Sequence, residues 1–253
     1  MPGRETGRDM QGGCLIQSFS PALRLALFVD GPNVSGSCFE LFGASDIHPL
    51  FLAEPVLCGR TLISVRYYGL IQDPGINPGI RALQDKRHDL MRQTGVEVIE
   101  REMRYRWEWG FSEEMPDPQR HLGQPMMVGA RPFRRGREKG LDLALALDVV
   151  KMALSGEIDV AVIMSADEDL AETASQVHSW TNRKVKVEAA VFNQNSQPIV
   201  LPHYNYTHQL RKKDFDVAQD TFNYRDAMED RWKDAFLAGC RARAPNLRPR
   251  QDP

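Results

Sequence analysis

The chain has 253 residues, with 32 Lys and Arg against 34 Asp and Glu and a formal net charge of −2. A hydrophobic content of 42% with 26% charge is that of a globular chain, and it excludes collagen-like, disordered and disulfide-scaffold classes. The length suits one full domain with extensions, or two small ones. No apolar run approaches the ~20 residues of a membrane-crossing helix, so no membrane partner is expected. The balanced charge rules out a global basic field, so any contact with nucleic acid has to be local.

Residues 1–21 are polar and Gly-rich and read as a flexible leader without the apolar stretch of a signal peptide. Leu23–Val29 is an almost continuous apolar run ending in Asp30-Gly31-Pro32-Asn33, the pattern of a strand buried on both faces. Val34–Phe42 reads as a short helix, and Thr61–Tyr68 as a second strand stopping at Gly69. Ile80–Gln93 has one apolar side and a stop at Gly95, and Val96–Glu100 alternates as a strand. From 104 to 138 no period is visible and four prolines intervene, so a long functional loop is expected.

Order returns with Leu141–Leu154, a helix apolar almost all round and therefore expected to be deeply packed. Asp159–Met164 reads as a buried strand, Leu170–Trp180 as a helix and Val185–Val191 as a strand. Strands alternating with helices predict βαβ units and a parallel sheet. These elements define one domain over 22–200, followed by a C-terminal helical extension and frayed tail over 201–253. In that tail Met228, Trp232, Ala235 and Phe236 form one stripe, able to pack on the domain or to serve a homodimer. Cys14, Cys38, Cys58 and Cys240 lie far apart with no Cys-x-x-Cys pair, which fits reduced thiols and a cytoplasmic location.

In open α/β sheets, functional groups cluster beyond the C-terminal ends of strands. Asp30 ends the first strand, with Asn33 three residues on, and Asp167 and Asp169 follow the Asp159–Met164 strand. Asp142 opens the preceding helix on the face of Ala146, Val149 and Ala153, so it is expected to point toward the sheet. Asp148 lies about 120° further around the same helix and cannot easily share a metal with Asp142. Clustered carboxylates make a hard-oxygen site suited to Mg²⁺ or Mn²⁺, which activates water or stabilises phosphoryl transfer. Neither a P-loop nor a Ser-His-Asp set is evident, and His121, His203 and His208 read as surface or loop residues.

Three ordered motifs resemble the NYN domain family, which includes LabA-like proteins and belongs to the PIN-like ribonuclease superfamily. They are Phe28-Val-Asp-Gly-Pro-Asn33, Lys139-Gly-Leu-Asp-Leu-Ala-Leu-Ala-Leu-Asp148 and Ile158-Asp-Val-Ala-Val-Ile-Met-Ser-Ala-Asp-Glu-Asp169. The resemblance implies a three-layer α/β fold with a mostly parallel sheet of about five strands in the order 3-2-1-4-5. It also implies a metal-dependent endoribonuclease with Asp30, Asp142, Asp167 and Asp169 as catalytic metal ligands. Asn33 then orients a phosphate or carboxylate, while Asp148 and Ser165 support the site. The family's Ser-Gly-Asp-x-Asp-Phe is Ser165-Ala-Asp-Glu-Asp-Leu170 here, which removes no acid.

Between Arg131 and Lys139 stand five basic residues and one acid. Arg131, Arg134, Arg135, Arg137 and Lys139, with Trp107 and Trp109 upstream, form a candidate RNA-binding set that joins phosphate neutralisation to base stacking. The expected partner is single-stranded or structured RNA. The rivals are a non-catalytic RNA-binding or regulatory module, a DNA or flap nuclease, and a small-molecule phosphohydrolase. A haloacid-dehalogenase-type phosphohydrolase is disfavoured because Pro32 stands where the second Asp is required.

Overall fold

A computed structural model describes residues 22–110, 131–137, 140–220, 222, 224 and 230–247. In chain order it contains β1 (Arg24–Asp30), α1 (Gly31–Phe42), a 3₁₀ turn (Phe51–Ala53), the single-turn α2 (Glu54–Leu57), β2 (Thr61–Ile71), α3 (Pro78–Gln93) and β3 (Glu97–Glu102). β4 (Arg104–Gly110) and β5 (Arg131–Arg137) follow, then α4 (Leu141–Leu154), β6 (Val160–Met164), a 3₁₀ turn (Glu168–Leu170) and α5 (Ala171–Trp180). The chain continues through β7 (Lys186–Phe192), β8 (Thr207–Leu210), α6 (Lys212–Ala218) and α7 (Asp230–Arg243).

Among the described residues the main sheet has six strands in the order β3-β2-β1-β6-β7-β8, all parallel. Its first five positions follow the expected 3-2-1-4-5 order, and β8 adds a sixth strand within the stretch read as helical extension. That strand is only four residues long and half buried, too short to show a period.

Alternation across the sheet makes a three-layer structure. Leu25, Leu27, Val29, Val160 and Val162 face one core, together with Val34 and Cys38 of α1, Met91 of α3 and Phe215 of α6. Ala26, Phe28, Tyr68, Ala161 and Ile163 face the other, under Leu141, Leu145 and Val149 of α4 and Ala174 and Val177 of α5. Both faces of β1 and β6 are covered, which is why their sequences read as unbroken apolar runs. Gly31 is required by packing: a Cβ there would lie 2.6 Å from the Tyr67 ring and the Tyr68 carbonyl.

Three expectations are corrected. The 104–138 stretch is not structureless, because β4 and β5 pair antiparallel over seven residues each. The polar–aromatic alternation Arg-Tyr-Arg-Trp-Glu-Trp is the period-2 signal, obscured by the prolines that follow it. Helix α4 is not packed all round: Leu143, Leu147 and Leu154 are 63%, 59% and 54% exposed, on the side opposite its core residues. His208, read as a surface or loop residue, is buried, with its Nε2 2.7 Å from Glu188 Oε2. Arg60 closes that network on both Glu188 oxygens at 2.8 and 2.9 Å.

Of the C-terminal stripe, Phe236 meets His48, Phe51 and Phe222, while Ala235 is exposed. Met228 and the Trp232 side chain lie outside the described residues. Among the described residues Cys38 and Cys240 are free and buried, and Cys58 is free and exposed. No described helix is long and apolar enough to cross a membrane.

Candidate active site

The parallel arrangement brings the C-terminal ends of β1 and β6 side by side, with Val29 opposite Met164. Asp30, one residue beyond that pair, is only 4% exposed and caps α1. Its Oδ1 accepts the Asn33 backbone N–H at 3.2 Å, and its Oδ2 accepts the Ser165 hydroxyl at 2.9 Å. Ser165 Oγ in turn accepts the Asp167 backbone N–H at 3.1 Å. Asn33 Oδ1 accepts the Ala166 backbone N–H at 2.9 Å, tying the two strand ends together from the other side. That bond needs only a backbone N–H, so alanine serves at 166, and Ala166 does not adopt a positive φ.

Asp167 Oδ1 accepts the Asp169 backbone N–H at 2.9 Å and caps the 3₁₀ turn. Capping engages one of its carboxylate oxygens and leaves the other for a further partner. Asp169 is exposed. Asp142 stands in the first turn of α4 behind Gly140, which is left-handed at φ 82°. Asp142 is also exposed, which corrects the expectation that it points into the sheet.

Electrostatics links the four acids. Burial pushes Asp30 up to about 6, against the hydrogen bonds from Asn33 and Ser165, and the charges of Asp142 and Asp167 raise it further. Asp142 is raised by partial burial and by Asp167 and Asp169. The charges of neighbouring acids thus raise both Asp30 and Asp142, and a cation would offset that repulsion.

The donor set fits Mg²⁺ or Mn²⁺: hard carboxylate oxygens, with neither thiolate nor imidazole among them. Among the described residues, however, no three acidic, His or Cys side chains converge as a ready metal cage. The fit is one of donor chemistry and charge.

Asp148 stands apart from this group. It accepts the Tyr68 hydroxyl at 2.8 Å and pairs with Arg66 at 2.9 Å, and Arg66 also pairs with Glu97 at 3.0 Å. Tyr68 lies opposite Asp30 in the β1–β2 register, so Asp148 braces the strand beside the site.

Tyr204 escaped the sequence reading. Its hydroxyl is buried with no hydrogen-bond partner among the described residues, and the charge of Asp167 adds to the burial that raises it. An isolated Tyr in a loop carries no sequence signal that would have found it.

Of the candidate RNA-binding residues, Trp107 is 65% exposed, and Arg135 is exposed and 3.5 Å from Glu108. The side chains of Trp109, Arg131, Arg134 and Arg137, and all of Lys139, lie outside the described residues.

The family model of the NYN domain matches residues 24–206. Comparison with curated proteins gives no match. Among solved structures, the chain is similar to a protein of unknown function, VPA0982 from Vibrio parahaemolyticus RIMD 2210633. The two are 18% identical, with a TM-score of 0.49, over 79% of this chain and 97% of that one.

Proposed function

Because the chain belongs to the NYN domain family, we propose that it is a metal-dependent endoribonuclease hydrolysing RNA phosphodiester bonds at Asp30, Asp142, Asp167 and Asp169. Family membership implies a PIN-like nuclease domain. The observation that carries the finer reading is Asp30: a carboxylate buried at a strand end, held by two hydrogen bonds and repelled by neighbouring acids. A structural acid would be paired with a cation of the chain, as Asp148 is with Arg66.

Asp30, Asp142, Asp167 and Asp169 would hold Mg²⁺ or Mn²⁺. The bound ion would activate water and offset the charge of the attacking and leaving oxygens. The chain's own groups do the positioning. Ser165 and the Asn33 backbone fix both oxygens of Asp30, so that the carboxylate is set before substrate arrives. The Asn33 side-chain oxygen is occupied by Ala166 N–H, which leaves its Nδ2 as a donor to a phosphate oxygen. Ser165 connects Asp30 to the Asp167 backbone, so the two strand ends move as one unit. The substrate is single-stranded or structured RNA, and the setting is cytoplasmic.

A non-catalytic RNA-binding module is the second reading, and it draws on the capping roles of Asp30 and Asp167. Mn²⁺ titration against labelled RNA separates the two. A nuclease cuts with Mn²⁺ and stops in EDTA, whereas a binder retains RNA in EDTA and never cuts. A DNA or flap nuclease is recognised in the same assay by a preference for the DNA arm.

A further inference from the structure

The β4–β5 pair forms a ribbon outside the main sheet, and its register sorts residues by type. In an antiparallel pair, directly opposed residues share a face, and positions two apart along a strand share it too. Arg104 stands opposite Arg137, and Arg106 opposite Arg135. The next position on that face pairs Glu108 with Phe133. The other face pairs Tyr105 with Gly136 and Trp107 with Arg134. Basic residues thus dominate one face, and the aromatics of β4 stand on the other.

Like charges directly opposite on a ribbon are destabilising. Arg106 and Arg135 stand in this way, with Arg104 about 7 Å along the same face. Arg104, Arg106 and Arg135 are all exposed. Among the described residues neither Arg104 nor Arg106 has an ion-pair partner, while Arg135 has Glu108 at 3.5 Å. A register that sets cation against cation, relieved by one acid, is complementary to an anion with regularly repeating charge.

The ribbon is also tied to the edge of the sheet that carries the acids. Met103 N–H donates to the Ile71 carbonyl at 2.9 Å, and the Tyr105 hydroxyl donates to Gln72 Oε1. Both acceptors lie at the C-terminal end of β2, three and four residues beyond Tyr68, the partner of Asp30. Gly136 permits this base to close, because a Cβ there would collide with Met103. Beyond β5 the chain passes through Gly140 into α4 and Asp142.

We propose that Arg104, Arg106 and Arg135 form a phosphodiester-backbone site, on which a nucleic-acid strand lies before entering the acidic centre. The proposal rests on the nuclease reading for its purpose, but not for its test. Arg104 and Arg106 then join the binding set as principal contacts.

Binding is measured by fluorescence anisotropy on the full chain carrying Asp167→Asn, with labelled single-stranded RNA and single-stranded DNA of one sequence, over a range of salt. The Arg104→Ala/Arg106→Ala double variant is expected to bind RNA roughly tenfold or more weakly. Its log K against log salt should be shallower by about 1.4, two phosphate contacts at ~0.7 each. Arg104→Lys/Arg106→Lys restores the slope, since charge is retained. Glu108→Gln removes the one acid of the face and is expected to tighten binding. Equal losses for RNA and DNA mark a backbone contact, and a loss confined to RNA adds a reading of the ribose.

Circular dichroism of each variant checks that the fold is kept. Unchanged affinity and slope in the folded Ala variant, or weaker binding in Glu108→Gln, overturns the proposal. Cleavage by the wild-type chain with Mn²⁺ is scored separately. Failure to cut with the ribbon effects intact removes the nuclease reading alone, and cutting with no ribbon effect removes the ribbon site alone.

Discussion

Replacing Asp30 by Asn makes the sharpest test of the site's electrostatics. Burial lifts this carboxyl from 3.8 to about 6. A rise of about 2 units corresponds to roughly 3 kcal/mol of differential stability between the two protonation states. The sign follows from the raised value. The folded state binds the proton more tightly than the unfolded chain, so the contribution is most favourable below about pH 4. It is lost as pH rises from there through about 6, and the metal-free fold above that pH carries the full cost of a buried charge. Asn removes the charge but cannot accept the Ser165 hydroxyl through its amide nitrogen, so part of the gain is forfeited. A net gain of about 1–2 kcal/mol at pH 8 should raise the melting temperature of the metal-free protein by roughly 2–8 °C. At pH 4 the advantage should vanish. The assay is thermal unfolding of both proteins in EDTA, from pH 4 to 8. The difference between the two curves isolates Asp30 from groups that titrate in both. A difference that does not change with pH, or a variant less stable at pH 8, would refute the reasoning.

Ser165→Ala removes the donor to Asp30 and should push its carboxyl higher still, so the acid limb of the cleavage pH profile moves upward; an unshifted limb contradicts the assigned bond. Glu188→Gln should cost about 3 kcal/mol in urea unfolding, because Arg60 and His208 lose their shared carboxylate inside the fold. Leu143→Ser with Leu147→Ser should leave stability within about 0.5 kcal/mol per site in the same measurement, as both side chains are mostly in water. A loss of several kcal/mol there would mean that α4 is covered.

Legibility in the sequence followed burial. β1 and β6 are apolar on both faces and were readable, and the strand-end rule then located Asp30, Asp167 and Asp169 without a structure. α4 was readable as a helix but not in its packing, because Leu143 and Leu147 are as apolar as Leu145 while pointing outward. No composition rule separates those positions when both faces are greasy. The β4–β5 ribbon was missed because its stability comes from pairing across twenty intervening residues, which a local window does not contain. His208 was misread because its partner, Glu188, belongs to the neighbouring strand. Asp142 was placed too deep: helix phase sets it near the apolar stripe, yet it is exposed while its neighbour Leu141 takes the buried position.

The most direct test is incubation of the full chain with labelled RNA, with Mn²⁺ and with EDTA, alongside Asp167→Asn. Asp167 leaves one carboxylate oxygen free of the cap it makes, so its substitution removes a metal donor while the Asn side-chain oxygen can keep the bond from Asp169. Mn²⁺-dependent cleavage by the wild type and its loss in a folded Asp167→Asn is the expected result. Cleavage that survives both EDTA and the substitution, or no cleavage by the wild type at any Mn²⁺ concentration, would contradict an acidic metal-dependent nuclease centre.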